Sequence, residues 1–348
     1  MMQLLYYLVN NLQIDSNFVI THPQEELLEI PQEVLSSLEK LNKKLKNKYL
    51  CLRLRNFLHE LYFMGEKDIK QDVIEISRQS KLVNNTVKGL NYEFYKQLHN
   101  NNCGAGYFDA GWQILRKEKS GKLAVKKNGL TVWIDPNYHL KNLEKSRKIG
   151  DIVEVKFPRN QVEQDFYLAI GDAGLVNAAE KNKIVEIYFN ITAQGAVRVM
   201  KTLTEKLNNS QIPFTFKTLS NPDDYGRYDA AMLKFANNYY QQVRLILQSI
   251  YEENKTELAE NIPLFTKLLA PGLGLAEEPQ NGTDLPTTFG MNRFQILANA
   301  LFSGWQTGIN SPEGRMSLIK KQFASFKLEW HQLYLNPNSQ DIYYPLVF

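Results

Sequence analysis

The stretch IPFTFKTLSNPDDYGRYD, residues 212–229, predicts two strands joined by a turn. Phe214 and Phe216 alternate with other residues, which is typical of a strand with one face in an apolar core. Pro222 and its Asn and Asp neighbours predict the turn, because proline fixes φ and short polar side chains bond their own backbone. The sequence from this turn onward is expected to form the return strand.

Two cations stand out within this predicted strand pair. Lys217 lies among uncharged residues on the strand face opposite the phenylalanines, and Arg227 is predicted to open the return strand. A lysine and an arginine on neighbouring strands can bind a phosphate, and a lysine can also accept a proton. The alternative is that both are structural cations whose aliphatic stems cover the sheet.

The composition is that of a folded protein with a sizeable core. The 348 residues are 43% hydrophobic, which excludes wholesale disorder. A net charge of +4 is too small to imply nucleic acid, and the apolar runs are too short to span a membrane. Two cysteines, Cys51 and Cys103, suit a reducing compartment. We therefore expect a cytoplasmic protein whose partners include neither nucleic acid nor a membrane.

Residues 1–90 are predicted to form a helical N-terminal region, because apolar residues recur there at helical spacing. The predicted helices cover 4–12, 31–63 and 84–101. The basic run LNKKLKNK, residues 41–48, predicts a solvated helix face, with nucleic-acid binding as the alternative.

Residues 91–348 are predicted to form a second domain that contains the strands. Strands are predicted at 112–134, 151–158, 165–174 and 184–192, with Asn128-Gly129 as a hairpin turn. Helices are predicted at 191–209, 237–261, 289–305 and 311–326, whereas 263–279 is predicted to be a loop rich in Pro and Gly. The fold class is therefore α+β: a helical N-terminal region followed by a mixed, mainly antiparallel sheet flanked by helices.

Other isolated charges add candidates for a site. Lys267 in LFTKLL and Arg293 in FGMNRF lie in apolar segments, where a charge needs either an acidic partner or an anionic ligand. Glu277, Glu278 and Asp229 are the candidate partners, and the two glutamates are alternatively a general acid/base pair.

His99 follows a predicted helix and precedes the glycine-rich stretch NNNCGAGYFDAGW, residues 100–112. It is a candidate general acid, although the end of a helix favours a cation for electrostatic reasons alone. The glycines predict a structural turn, with inward backbone N–H groups as the alternative. The spacing of His and Cys residues predicts no metal site.

Many blocks of the chain from about residue 90 onward resemble the HopA-type family, which is named after a type III effector of plant-pathogenic bacteria. They include FYKQLHNNNCGAGYFDAGW, GDIVEVKFPRN, IYFNITAQGAV, PLFTKLLAPGLGLAEEP and TTFGMNRFQILANAL. In class V lanthipeptide pathways a HopA-like protein works beside a separate kinase. It is taken to remove phosphate from phosphoserine or phosphothreonine. The product is dehydroalanine or dehydrobutyrine, which a cysteine can then attack.

The layout of residues 184–229 is also similar to that of phosphothreonine lyases of the OspF/SpvC type. That resemblance implies that Lys217 matches the catalytic base and that Arg227 approximately matches a phosphate-binding arginine. The Lys-x-His motif of those enzymes is replaced by Tyr188-Phe189-Asn190, which leaves the source of the proton open.

The function implied is β-elimination from a phosphorylated precursor peptide, without metal or cofactor. Lys217 would be the base, and Asn190 or Tyr228 would orient or protonate the leaving group. Arg227, Lys267 and Arg293 would bind the phosphate, with His99, Asp229, Glu277 and Glu278 in possible supporting roles. The alternative is a non-catalytic, effector-like protein that binds a peptide or protein partner.

Overall fold

The computed structural model describes residues 1–23, 25–65, 91–141, 148–176, 183–280 and 285–348. The helices are α1 (Met2–Asn11), α2 (Gln32–Glu39), α3 (Lys43–His59), α4 (Tyr92–Asn101), α5 (Pro136–His139), α6 (Ala193–Asn209), α7 (Tyr240–Asn254), α8 (Phe289–Thr307) and α9 (Pro312–Ser325). The strands are β1 (Gln13–Ile14), β2 (Ile20–His22), β3 (Glu25–Leu28), β4 (Tyr107–Lys117), β5 (Leu123–Lys127), β6 (Leu130–Ile134), β7 (Ile152–Phe157), β8 (Asn160–Glu163), β9 (Phe166–Ile170), β10 (Ile184–Phe189), β11 (Phe214–Leu219), β12 (Ala231–Ala236), β13 (Lys267–Ala270) and β14 (Leu273–Glu277). The predicted α+β class is confirmed.

A seven-stranded antiparallel sheet positions the candidate residues. Its strand order is β13-β14-β10-β12-β11-β9-β8, so β10 and β12 lie in its middle. Val185, Ile187 and Phe189 of β10 pack against α6 and α7, on what we call the α6 face. Tyr188 packs on the other side against α3 and α8, on what we call the α8 face. Glu186 also points to the α8 face, because it alternates with Val185 and Ile187. The α8 face of β10 is therefore more polar than its α6 face.

Residues from the two predicted domains share one apolar cluster. The cluster on the α8 face joins α1 and α3 to β10, α8 and α9, and runs from Leu5 to Leu333. A short π-helical turn, Glu60–Met64, continues α3 and ends at Gly65, whose φ of 74° suits glycine. The predicted boundary at residue 90 lies outside the described residues.

The second sheet, with strand order β6-β5-β4-β7, has a small core of its own around Trp112 and Val125. Its β5–β6 turn is at Asn128 and Gly129, with φ values of 50° and 83°. Both values are positive, as a two-residue hairpin turn requires, so the predicted Asn-Gly hairpin is confirmed. The three short strands β1, β2 and β3 form a third sheet that the sequence did not predict.

Three predicted elements differ from the structure. Residues 263–279 form the β13–β14 hairpin rather than a loop, because Pro271 and Gly272 make its turn and β14 pairs with β10 on its other side. The return strand begins at Ala231, so Arg227 lies in the preceding loop. The helix predicted at 31–63 is divided into α2 and α3, since Asn42 caps a new helix through the N–H of Leu45.

The helices predicted at 191–209, 289–305 and 311–326 form, and Thr192 caps α6 as its sequence suggests. The helix predicted at 237–261 ends earlier, at Asn254. Of the helix predicted at 84–101, residues 84–90 lie outside the described residues and the rest forms α4. The aromatic C-terminal segment packs on the body through Tyr343, whose ring contacts Tyr240 edge-on. No helix in the described ranges is long and apolar enough to cross a membrane.

His59 is buried where α3 meets α8. Its ring stacks on Phe63 at 4.9 Å and meets Phe294 edge-on at 5.6 Å. A Cβ added at Gly290 would come within 2.7 Å of its Nε2 atom, so the glycine allows this close approach. Burial lowers the pKa of His59 to about 4, and nearby Arg227 and Arg55 act in the same direction while Asp229 opposes them.

We expect this buried histidine to make the protein less stable in mild acid. Because the pKa of His59 is about 6.5 in the unfolded chain and about 4 in the folded one, the unfolded state binds more protons in between. Above pH 6.5 the neutral His59 makes its full contribution to the free energy of unfolding. This contribution is lost as the pH falls towards 4, and the loss reaches about 3 kcal/mol. Urea unfolding at several pH values measures this loss.

The matched controls are His59→Phe and His331→Phe. The first substitution should flatten the pH dependence between 4 and 6.5, whereas the second should leave it unchanged, because His331 is exposed. An equal pH slope in His59→Phe and the unsubstituted protein would contradict the assignment. A residual slope is expected, since burial also lowers the pKa of His22.

Candidate functional site

Lys217 lies on the α8 face of β11, as its alternation with Phe216 predicts. Leu168 of β9 and Met232 of β12 are directly opposite it on the two neighbouring strands. Its Nζ atom is 4.5 Å from the centre of the Phe166 ring and 4.0 Å from Glu163 Oε2. The side chain is 28% exposed, and its distance from Glu163 is longer than a hydrogen bond.

Arg227 and Asp229 lie in the loop between β11 and β12. Arg227 donates two hydrogen bonds to the carboxylate of Asp229, both 2.9 Å long. Such a fork-to-carboxylate pair is geometrically the same as the pair an arginine makes with phosphate. Asp229 therefore occupies the guanidinium of Arg227, which the sequence assigns to phosphate binding.

The β8–β9 turn connects Lys217 with Arg227. Glu163 and Phe166 of this turn contact Lys217, and Arg227 acts electrostatically on Asp165 between them. Burial raises the pKa of Asp165, the negative charge of Asp224 adds to this rise, and Arg227 opposes it. The loop that carries Arg227 is also bonded to this turn, because the N–H of Ser220 donates to the carbonyl of Asp165 over 2.9 Å. We call this arrangement, at one end of the sheet, the Lys217 corner.

Tyr228 joins the Lys217 corner to the N-terminal helices. Its N–H donates to the carbonyl of Met64 over 2.8 Å, and its ring fills the space beside Gly65. A Cβ at Gly65 would lie 2.4 Å from the Tyr228 ring. Burial raises the pKa of Tyr228, so its hydroxyl keeps its proton at neutral pH.

Asn190 follows the end of β10 and is buried. Its side-chain amide donates to the carbonyl of Asn261, its N–H donates to Gly272, and its carbonyl accepts from Ala259, each over 2.9 Å. These bonds tie the end of β10 to the segment before the β13–β14 hairpin. Tyr188, two residues earlier, is two strands away from Lys217 in the same cross-strand row, a separation of about 10 Å.

Lys267 does not join the Lys217 corner. It lies on edge strand β13, opposite Leu275 and therefore on the α6 face, four strands away from β11. Its amine binds Asp341 of the C-terminal segment and lies 5.2 Å from the centre of the Tyr334 ring.

Arg293 does not join the Lys217 corner either. It is 2% exposed and donates to the carbonyls of Leu333 and Leu335 and to the side chain of Asn292. Burial lowers its pKa to about 10, against the attraction of Glu277. The predicted grouping of four cations around one phosphate is therefore absent from the described structure.

The two glutamates have different surroundings. Glu277 is on the α6 face and accepts hydrogen bonds from the N–H of Asn336 and the hydroxyl groups of Ser339 and Tyr343. Glu278 accepts a hydrogen bond of 2.7 Å from Lys234 on the α8 face. Glu277 thus holds the C-terminal segment.

His99 lies beyond the α6 face, at the end of α4. Its ring contacts the hydroxyl of Tyr167 at 3.2 Å and the guanidinium of Arg159 at 3.3 Å. Burial lowers its pKa, and Arg159 adds to the effect. Tyr167 is opposite Thr218, which points away from the Lys217 face, so the sheet separates His99 from Lys217.

The glycine-rich bend that follows His99 binds an anion belonging to the protein itself. The N–H groups of Ala105 and Gly106 donate to Asp172 Oδ1 over 2.7 and 3.0 Å. Gly106 has a φ of 92°, and a Cβ there would lie 2.4 Å from the carbonyl oxygen of Phe157. Both alternatives for this bend are therefore realised together: it is a structural turn, and its N–H groups point inward.

Sequence reasoning missed a charged network on the α8 face. Lys234 is 2.7 Å from both Glu186 and Glu278, and the buried Glu186 also accepts from the Tyr188 hydroxyl. Burial acts to lower the pKa of Lys234, but the two carboxylates outweigh it and raise the pKa. The signal was present, since EIYF and MLKF each carry one charge in an apolar strand.

The sequence model of the HopA1 effector protein family matches residues 157–335, a little over half of the chain. The chain belongs to the HopA1 effector protein family. The resemblance predicted from the sequence is thereby confirmed, and the match includes Lys217, Arg227 and Asn190. No curated protein matches the chain.

Two solved structures of Pseudomonas syringae effector proteins are similar to it. The one from pathovar tomato strain DC3000 has 14% sequence identity and a TM-score of 0.42, over 71% of this chain and 81% of that one. The one from pathovar syringae strain 61 has the same identity and TM-score, over 73% of this chain and 85% of that one.

Within the described residues, no group of three or more His, Cys, Asp or Glu side chains could hold a metal ion.

We expect Glu277 to stabilise the fold more than Glu278 does. Glu277→Gln replaces one acceptor oxygen with a donor that faces other donors, and should lower the free energy of unfolding by about 1–3 kcal/mol. Glu278→Gln removes one charge from a partly exposed pair and should cost less than about 1 kcal/mol. Urea denaturation of the two variants makes the comparison, and equal losses would contradict it.

Proposed function

We propose that this protein is a phosphoserine/phosphothreonine lyase that acts on a ribosomal precursor peptide. It eliminates phosphate to give dehydroalanine or dehydrobutyrine, as in lanthipeptide-type biosynthesis. The observation that carries the proposal is the Lys217 corner, where Lys217 contacts the β8–β9 turn and the loop that carries Arg227 is bonded to the same turn. Membership of the HopA1 family supports it through the resemblance described above.

In the proposed reaction, Lys217 in its neutral form takes the Cα proton of the phosphorylated residue. The electron pair of the broken C–H bond forms the Cα=Cβ double bond, and the Cβ–O bond breaks so that its pair leaves with the phosphate. The guanidinium of Arg227 binds the phosphate oxygens in place of the Asp229 carboxylate, and stabilises the charge that develops on them.

The leaving phosphate needs a proton donor, and Tyr228 is the one we propose. It is next to Arg227 in the chain, and its raised pKa keeps the hydroxyl protonated. Asn190 has the position of the missing histidine, but its amide is already bonded to Asn261. We therefore give Asn190 the supporting role of fixing the end of β10.

As part of the proposal, a separate kinase supplies the phosphorylated peptide and a cyclase uses the alkene. The protein acts in the cytoplasm, where its two cysteines, neither in a disulfide, stay reduced.

The second candidate function is non-catalytic binding of a peptide or protein partner. It is favoured by one observation, namely that Asp229 already occupies both arms of the Arg227 fork. A protein of this kind would bind the phosphopeptide, or an unrelated partner, and leave its mass unchanged.

The test is mass spectrometry of a kinase-phosphorylated precursor peptide incubated with the protein. We expect each modified site to lose the mass of one phosphoric acid. Lys217→Ala should slow the reaction about 10²- to 10⁴-fold while the phosphopeptide still binds, because a general base contributes that much to the rate. Lys217→Arg should be as slow, since it keeps the charge but not the base.

The matched control is Lys201→Ala, which removes an exposed lysine on α6, on the far side of the sheet. It should leave the rate unchanged. Full turnover by Lys217→Ala would exclude Lys217 as the base, whereas tight binding without loss of mass would support the non-catalytic alternative.

A further inference from the structure

A groove lies between the start of α3 and the end of α8. None of the residues that line it belongs to the Lys217 corner. It is open to solvent and has a volume of about 830 Å³. Lys43, Lys46, Asn47 and Leu50 of α3 form one wall, and Trp305 of α8 lies on the other. The four α3 residues are spaced i, i+3, i+4 and i+7, so they form a single stripe along the helix.

Trp305 is held firmly on its buried side. Its indole N–H donates to the carbonyl of Asp15 over 2.9 Å, and its ring meets Phe18 edge-on at 5.1 Å. Phe302 packs against it at 5.5 Å. A tryptophan fixed in this way contributes apolar contact area in the groove without losing much side-chain freedom on binding.

The charges in the groove are of one sign. Lys43 and Lys46 are exposed, and neither forms an ion pair within the described parts of the chain. The residues that line the groove include no carboxylate. The first turn of α3 also carries no acidic residue, although the positive end of a helix dipole favours one.

We propose that this groove binds an acidic peptide segment with an apolar anchor. Its carboxylates would pair with Lys43 and Lys46 and complement the start of α3, while its apolar side chain would pack on Trp305. The groove is built from the N-terminal helices and α8. The proposal is therefore independent of any reaction at the Lys217 corner.

The other classes of anionic partner fit less well. Two lysines offer fewer phosphate contacts than nucleic acid normally uses, and the net charge of the chain is only +4. An anionic membrane favours a face with several apolar and aromatic side chains, whereas Trp305 is the one aromatic residue among the described residues that line the groove. A short peptide is the partner whose shape and charge match both features.

The experiment selects random phage-displayed peptides on the full-length immobilised protein at physiological salt. We expect enrichment of sequences that combine Asp or Glu with an apolar residue. A fluorescein-labelled copy of the strongest binder is then titrated with the protein, and its anisotropy gives Kd. Lys43→Glu/Lys46→Glu should weaken binding by at least about tenfold, because it reverses both charges that face the peptide.

The matched control is Lys44→Glu/Lys48→Glu, which makes the same charge change on exposed positions of α3 outside the groove. It should change Kd less than about twofold. The groove variant should also melt at or above the temperature of the unsubstituted protein, since acidic residues suit the start of a helix. If it melts lower, Lys43→Gln/Lys46→Gln replaces it and should likewise weaken binding.

Three results would overturn the proposal. One is an equal loss of affinity in the two reversal variants, and another is a selection that enriches no acidic peptides. The third is tighter binding of a single-stranded oligonucleotide or of phosphatidylserine vesicles that depends on the same two lysines. Either of these ligands would identify the groove as a site for a different class of partner.

Discussion

The contact between Glu186 and Lys234 fixes the middle of the large sheet. A buried carboxylate is costly unless it is paired, and Glu186 is paired with Lys234 and with the Tyr188 hydroxyl. A slip of one residue between β10 and β12 would turn Glu186 into the apolar cluster on the α6 face. The charge therefore strengthens a register that the alternation of Val185 and Ile187 already favours.

This register decides which candidate residues can act together. It sets Lys217, Met232 and Tyr188 in one row across the α8 face, and the loop that carries Arg227 joins the nearby ends of β11 and β12. The same register puts Lys267 on the opposite face. The sheet thus separates one compact corner from residues that sequence spacing alone had grouped with it.

The sequence correctly predicted those elements that are stabilised by interactions between residues close together in the chain. The strand around Lys217, the Asn128-Gly129 hairpin and the Thr192 cap each depend on residues a few positions apart. The β13–β14 hairpin was missed because its proline and glycines resemble a loop, while its stability comes from pairing with β10, which is distant in sequence. Its strand character is visible only once the sheet has formed.

The roles of the cations could be predicted less well, for the same reason. An isolated cation in an apolar segment indicates that a partner exists but not which partner it is. Arg293 and Lys267 are bound by the C-terminal segment, through the carbonyls near residue 334 and through Asp341. These partners in the C-terminal segment are at least 40 residues away along the chain, so a local pattern does not reveal them.

The useful distinction is therefore between cations whose charge is matched inside the protein and those whose charge is not. Arg293 and Lys267 are matched by close acceptors, whereas Lys217 has its carboxylate at 4.0 Å and remains partly exposed. Lys43 and Lys46 add their charge to the positive end of α3 without an ion pair in the described chain. Positive charge that folding leaves unmatched is available to an anionic ligand, because binding then does not have to break an internal pair. By this argument, Lys217, Lys43 and Lys46 can bind an anion without breaking a close internal pair, whereas Arg227 would first have to release Asp229.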